Sequence, residues 1–299
     1  MLGTPASREL CKEVAARSSG VIFLGFSRGK DSVAAWLWLR EFFPRIIPFH
    51  CAAVPGLGFV ERSLRYYEEF FQTPIVRCIS GDFLAALSDL VYQPVEDEDW
   101  IDALAFTPAH TNENIVRHLR HSMGLPLAWV AWGISATDSI VRRSAIKYKT
   151  GKNDKSKTLY PCFDWSRALI MHAIETAGVK LPEDYLLACR SFAGIPGTRH
   201  LDRMRETLPD DFERVRFFYP LVEAALARNE FRRIRESSTE NKPSLPDTGN
   251  GSAERTFTST HANASGSAVQ HAAASSPARK RRTSKRSTTA IATPTGSLP

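Results

Sequence analysis

The feature that most constrains this chain is a continuous apolar run, Val21-Ile22-Phe23-Leu24-Gly25-Phe26, that stops abruptly at the polar hexad Ser27-Arg28-Gly29-Lys30-Asp31-Ser32. An unbroken run of this kind predicts a strand buried on both faces, because a strand with one wet face would alternate. Residues 33–43 then carry apolar side chains at helical spacing until Pro44. The order is strand, polar loop, helix. Further strands are predicted at 46–54, 75–79 and 127–133, and helices at 7–18, 60–71, 83–90, 112–123, 164–177 and 182–193. A helical pair over 210–235 is interrupted at Pro220. Strands alternating with helices predict an α/β fold, a doubly wound and mostly parallel sheet with a helical C-terminal extension.

A loop between the carboxyl end of a parallel strand and the first turn of a helix is suited to anions. Unpaired amides point outward there, and the helix dipole favours negative charge. Gly29 lets the backbone approach a ligand closely, Ser27 and Ser32 offer hydroxyls, and Arg28 and Lys30 supply positive charge. Asp31 is expected either to cap the helix or to grip a magnesium ion that bridges phosphate oxygens. Neither the Walker A spacing nor G-x-G-x-x-G is present, so those two modes of nucleotide binding are not indicated.

The hexad resembles the S-[GR]-G-K-D-S signature of the PP-loop, found in the ATP pyrophosphatase and phosphoadenosine phosphosulfate (PAPS) reductase superfamily. Gly133-Ile134-Ser135-Ala136-Thr137-Asp138-Ser139 with Arg142 and Arg143 is similar to that family's G-x-R-x-x-E-S-x-x-R element, although Ser135 and Asp138 replace its Arg and Glu. Residues 160–166, Tyr-Pro-Cys-Phe-Asp-Trp-Ser, are similar to P-x-x-D-W-[ST]; there Asp164 or Ser166 is expected to cap a helix. The resemblance spans about residues 20–195. It implies an adenine nucleotide alpha hydrolase-like fold, with ATP or PAPS and Mg2+ as ligands. Lys30 and Asp31 would be catalytic, with Asp31 on the metal. Ser27, Arg28, Gly29, Ser32, Gly133, Asp138, Ser139 and Arg142 would bind the nucleotide. Val54 and Gly56, at the end of the second strand, would seat the adenosine, while His50 reads as a structural histidine.

The five cysteines, Cys11, Cys51, Cys78, Cys162 and Cys189, include no C-x-x-C pair, so no iron–sulfur cluster or zinc is expected and a reducing compartment is. The E-C-G-[IL]-H segment of PAPS reductases is missing, and Cys189 beside Arg190 reads chiefly as a core thiol. No run is apolar enough to cross a membrane, and a cytoplasmic protein is expected, in a host cytoplasm if the chain resembles its bacteriophage-encoded counterparts in origin. Three bodies are expected: 1–195 binding nucleotide, 196–236 helical, and 237–299 a disordered tail poor in apolar residues.

That tail carries most of the net charge of +7. Its run Arg279-Lys280-Arg281-Arg282-Thr283-Ser284-Lys285-Arg286 either holds nucleic acid weakly through counterion release or is simply solvated. Lys147, Lys149, Lys152, Lys155 and Lys157 read as a lid over a polyanion, a nucleic-acid patch or a mobile loop. Glu96 to Asp99 reads as solvated surface.

Three functions follow as expectations. The first is cleavage of ATP between its α and β phosphates to adenylylate an acceptor. The second is sulfonucleotide reduction, and the third a nucleotide-sensing or nucleic-acid-associated module without turnover.

Overall fold

The computed structural model of the protein describes residues 3–104, 111–135, 150–185, 192, 194 and 198–240. In chain order the first half comprises α1 (Pro5–Arg17), β1 (Val21–Gly25), α2 (Lys30–Leu39), β2 (Arg45–Ala52), α3 (Gly58–Phe71), β3 (Val76–Ile79) and α4 (Gly81–Ser88). Then come α5 (Glu98–Ala103), α6 (Asn112–Ser122), β4 (Trp129–Trp132), β5 (Lys152–Asn153), β6 (Thr158–Leu159) and α7 (Arg167–Thr176). The helices α8 (Thr198–Thr207), α9 (Pro209–Phe218) and α10 (Val222–Glu240) close the described chain.

The sheet order is β3-β2-β1-β4-β6-β5. Every pairing is parallel except β5 with β6. The period-2 geometry of a strand sends Ile22 and Leu24 of β1 to one face and Phe23 to the other, and both faces are covered. Leu10 and Val14 of α1, Val33 and Trp36 of α2, Leu64 and Tyr67 of α3 and Ile170 and Ile174 of α7 share one core. Val116 and Leu119 of α6 pack on the opposite face against Phe23, Phe49 and Val130. This is a doubly wound α/β sheet.

Leu201 and Met204 of α8, Phe212 and Val215 of α9, and Val222 and Leu226 of α10 join the first core. Residues Met1–Pro243 form one compact unit, and the remainder, with the basic run at 279–286, lies outside the described residues. Helix α10 continues to Glu240, past the expected boundary at 236.

Three expectations are corrected. Helix α2 begins at Lys30, so half of the polar hexad is the first helical turn, not loop. The segment 135–157, expected as a loop, contains β5, which pairs antiparallel with β6 just beyond it, and β6 extends the sheet beside β4. Helix α5 was not foreseen, because six residues are too few to display an apolar period, whereas α8 falls within the expected helical stretch 196–236.

Helix α3 has no cap of its own, since its N-cap residue is Leu57. The buried carboxylate of Asp211 on α9 supplies one, accepting from the amides of Gly58 and Phe59. The C-terminal helices thus terminate the second crossover of the sheet. Asp211→Ala should cost about 1–2 kcal/mol of stability, the usual worth of an N-cap. A shift of the urea unfolding midpoint would measure it, and an unchanged midpoint would refute the trans cap.

Candidate nucleotide site

A cavity of about 680 Å³ opens at the carboxyl ends of the parallel strands. Strand β1 lies between β2 and β4, so the chain leaves β1 toward one side of the sheet and returns on the other. The crevice outside such a reversal is where ligands bind in open α/β sheets. Gly25, Phe26, Ser27, Gly29 and Asp31 bring the end of β1 and its loop to the cavity; His50 and Cys51 come from β2 and Ala53 from the turn after it. Ser80 and Asp82 follow β3, and Trp132, Gly133 and Ile134 follow β4.

Two glycines make this convergence possible. A Cβ on Gly25 would lie 2.2 Å from the ring of Trp132, its register partner on β4. At Gly133 a Cβ would meet the Ser32 backbone at 2.4 Å. Gly133 was expected to let a ligand approach; its immediate role is to let the end of β4 close against the first turn of α2. Both contacts involve backbone or a fixed ring, so neither neighbour can yield cheaply.

The loop is held by its own groups and by the chain near residue 184. Ser32 is buried, and its hydroxyl donates to the Gly29 carbonyl at 2.9 Å while accepting from Ser27 at 3.2 Å. The Gly29 amide leans on the Ser27 hydroxyl at 3.4 Å. Arg28 has a φ of 66°, a left-handed backbone that costs most residues about 1–2 kcal/mol. Its guanidinium turns inward, 1% exposed, to pair with Asp184, 0% exposed, at 3.0 Å. Asp184 also accepts from the Phe192 amide at 2.6 Å, and the neighbouring Tyr185 hydroxyl accepts from the Lys30 amide at 3.0 Å.

These placements correct the expected roles of several residues. The Arg28 side chain is committed to the interior over Phe59, and its Nε has no hydrogen-bond partner among the described residues. Ser32 is a clasp within the loop rather than a cavity wall. Val54 belongs to the core, and Gly56 sits against the Arg214 guanidinium, which donates to the Pro55 carbonyl; Ala53 is the residue of this turn that lines the cavity. Lys30 Nζ lies 2.7 and 2.8 Å from the two Asp31 oxygens. Ser135 is buried and donates to the Trp165 carbonyl at 2.9 Å. Ser166 caps α7, accepting from the Leu169 amide. Asp138, Ser139, Arg142, Arg143 and Cys189 lie outside the described residues, as do Lys147 and Lys149.

His50, read as structural from the sequence, has two faces. Its Nδ1 lies 2.8 Å from the Phe26 carbonyl, which can only accept, so Nδ1 carries the proton. Burial, with the charge of Arg28, lowers its pKa to about 4 against the Phe26 bond. The neutral ring therefore keeps Nε2 as an acceptor, on a residue that lines the cavity.

No protein-family model matches the chain, and no curated protein matches it. Among solved structures, the U34-tRNA thiolase NcsA from Methanococcus maripaludis, with its [4Fe-4S] cluster, is similar at 14% identity over 73% of this chain and 79% of that one, with a TM-score of 0.39. The NH3-dependent NAD synthetase from Campylobacter jejuni, in complex with nitrate, is similar at 14% identity over 81% of this chain and 98% of that one, with a TM-score of 0.37. Likeness of this extent bears on neither ligand nor reaction.

Arg28→Met leaves Asp184 charged and unpaired in the interior, so it should destabilise the fold by about 3–5 kcal/mol in chemical denaturation. A loss smaller than the effect of an ordinary surface substitution would refute the buried pair. For His50, the unfolded ring takes up a proton near its ordinary 6.5, whereas the folded ring resists until about 4. The stability this confers is complete above the unfolded value and is lost as pH falls through that window, by about 3 kcal/mol in all. His50→Gln should flatten the unfolding free energy over the same window; an unchanged slope would contradict the assignment.

Proposed function

We propose that the chain binds a Mg2+–ATP complex in this cavity and transfers its adenylyl group to an acceptor, releasing pyrophosphate. The observation that carries the reading is positional. A hexad resembling the PP-loop follows β1, the strand at which the sheet order reverses, and Ser27, Gly29 and Asp31 of that hexad line the cavity beyond it.

The first turn of α2 brings amides and a positive dipole end to the polyphosphate. Lys30 and Asp31 form an ion pair. Asp31 would hold the metal and Lys30 a phosphate oxygen. Magnesium suits the residues present, because it commonly takes one or two carboxylates together with phosphate oxygens, and Asp31 and Asp82 both line the cavity. When bound, it offsets the charge that develops on the leaving pyrophosphate. An acceptor oxygen attacks the α-phosphorus, the bond between that phosphorus and the bridging oxygen breaks, and Lys30 balances the departing charge.

The aromatic residues Phe26, Phe49, Phe83, Tyr92 and Trp132 give the remaining wall a surface fit for a nucleobase. His50 Nε2 adds one acceptor for a donor on the base or sugar. Arg28 has no catalytic duty, because its charge is paired with Asp184 in the interior.

A thermal-shift comparison of ATP with magnesium, PAPS, AMP and no ligand tests the reading. ATP at a hundredfold excess over its Kd should add about 2.7 kcal/mol of stability. Lys30→Met should abolish that gain, whereas removing residues 244–299 should leave it intact. Larger stabilisation by PAPS would point to sulfonucleotide chemistry, binding without pyrophosphate release across acceptors would indicate a non-catalytic module, and no stabilisation by any adenine nucleotide would overturn the site.

A further inference from the structure

Cys51 and Cys78 are distant in sequence, yet the parallel register of β2 and β3 sets them directly opposite each other. Opposed residues on adjacent strands are about 4.8 Å apart, which falls inside the roughly 4.4–6.8 Å window for disulfide-linked Cα atoms. Their side chains leave the same face of the sheet and, with Val76 and Trp132, pack against the cluster of Phe23, Phe49 and Val130. Both are half-buried, whereas Cys11 and Cys162 are fully enclosed. Cys51 lines the cavity. Among the described residues β3 is the edge strand, paired with β2 alone, so the small adjustment that bond formation demands disrupts no second pairing.

We propose that Cys51 and Cys78 are a peroxide-reactive dithiol that closes to a disulfide at the cavity wall. The bond would tie together the strand ends that deliver His50, Cys51 and Ala53 from one side and Ser80 and Asp82 from the other. The inference holds whichever ligand fills the cavity.

The two sulfurs have unequal roles. The adjacent Cys51 thiol lowers the pKa of Cys78, while the neighbouring Cys78 sulfur, burial and the nearby Asp82 carboxylate raise that of Cys51. Cys78 is therefore the attacking thiolate. It displaces hydroxide from hydrogen peroxide, breaking the O–O bond and becoming a sulfenic acid. The sulfur of Cys51 then attacks the Cys78 sulfur, the S–O bond breaks, and the Cys51 proton leaves with the hydroxyl as water. In sum, two thiols and one peroxide give one disulfide and two waters.

The test uses the reduced full-length protein, treated with hydrogen peroxide and digested without reductant for mass spectrometry. A peptide linked through Cys51 and Cys78 should accumulate, with loss of both free thiols and retention of those at Cys11 and Cys162. Cys51→Ser should halt the sequence at a sulfenic acid on Cys78 that a 1,3-dione reagent captures. Because the wild-type map needs no variant, a folding defect in the mutant would not obscure the result. Modification of Cys78 no faster than that of Cys11, or a disulfide from Cys78 to any other thiol in preference to Cys51, would overturn the proposal.

Discussion

The candidate site depends on a buried ion pair. Two charges withdrawn from water are costly to separate, so once Arg28 and Asp184 meet, the geometry around each is tightly constrained. The pair holds Arg28 in its left-handed conformation, which turns the chain from β1 into the first turn of α2. It also fixes the segment that places Tyr185 on the Lys30 amide and binds the Phe192 amide through Asp184. Behind it, Phe26, Trp36, Tyr67 and Phe71 form an aromatic block in which Trp36 and Phe71 stack at 4.0 Å. The loop is thus anchored from the core outward rather than laid upon it.

The parallel sheet was readable because a buried strand announces itself by apolar continuity. Residues 21–26 marked β1 to within one residue of its end, and Pro44 and Gly133 bounded the neighbouring strands. The small strands β5 and β6 left no such mark, since two residues cannot display a period. Ser27, Gly29, Asp31 and Gly133 line one cavity, because a strand-loop-helix order brings loop residues to one end of a sheet.

What failed was the reading of direction. Arg28 belongs to a signature that admits Gly or Arg, and its positive φ accounts for the Gly; its side chain faces inward because Asp184, far along the chain, waits there. Val54 and Gly56 are one turn too late for the cavity, as the strand ends at Ala52. The opposition of Cys51 and Cys78 follows from register alone, and register between strands separated by a helix is set by packing, not by any local pattern.

The internal clasp of Ser27, Gly29 and Ser32 has a kinetic and energetic meaning beyond its hydrogen bonds. A recognition loop that must first be ordered spends part of its affinity on that ordering, and its association slows accordingly. Here half of the hexad is already helix and the rest is stitched to it, so the polyphosphate proposed to bind there would meet a finished receptacle. Selectivity at this end of the cavity should consequently follow rigid shape: a group of the wrong size is excluded, because the loop has no slack with which to accommodate it.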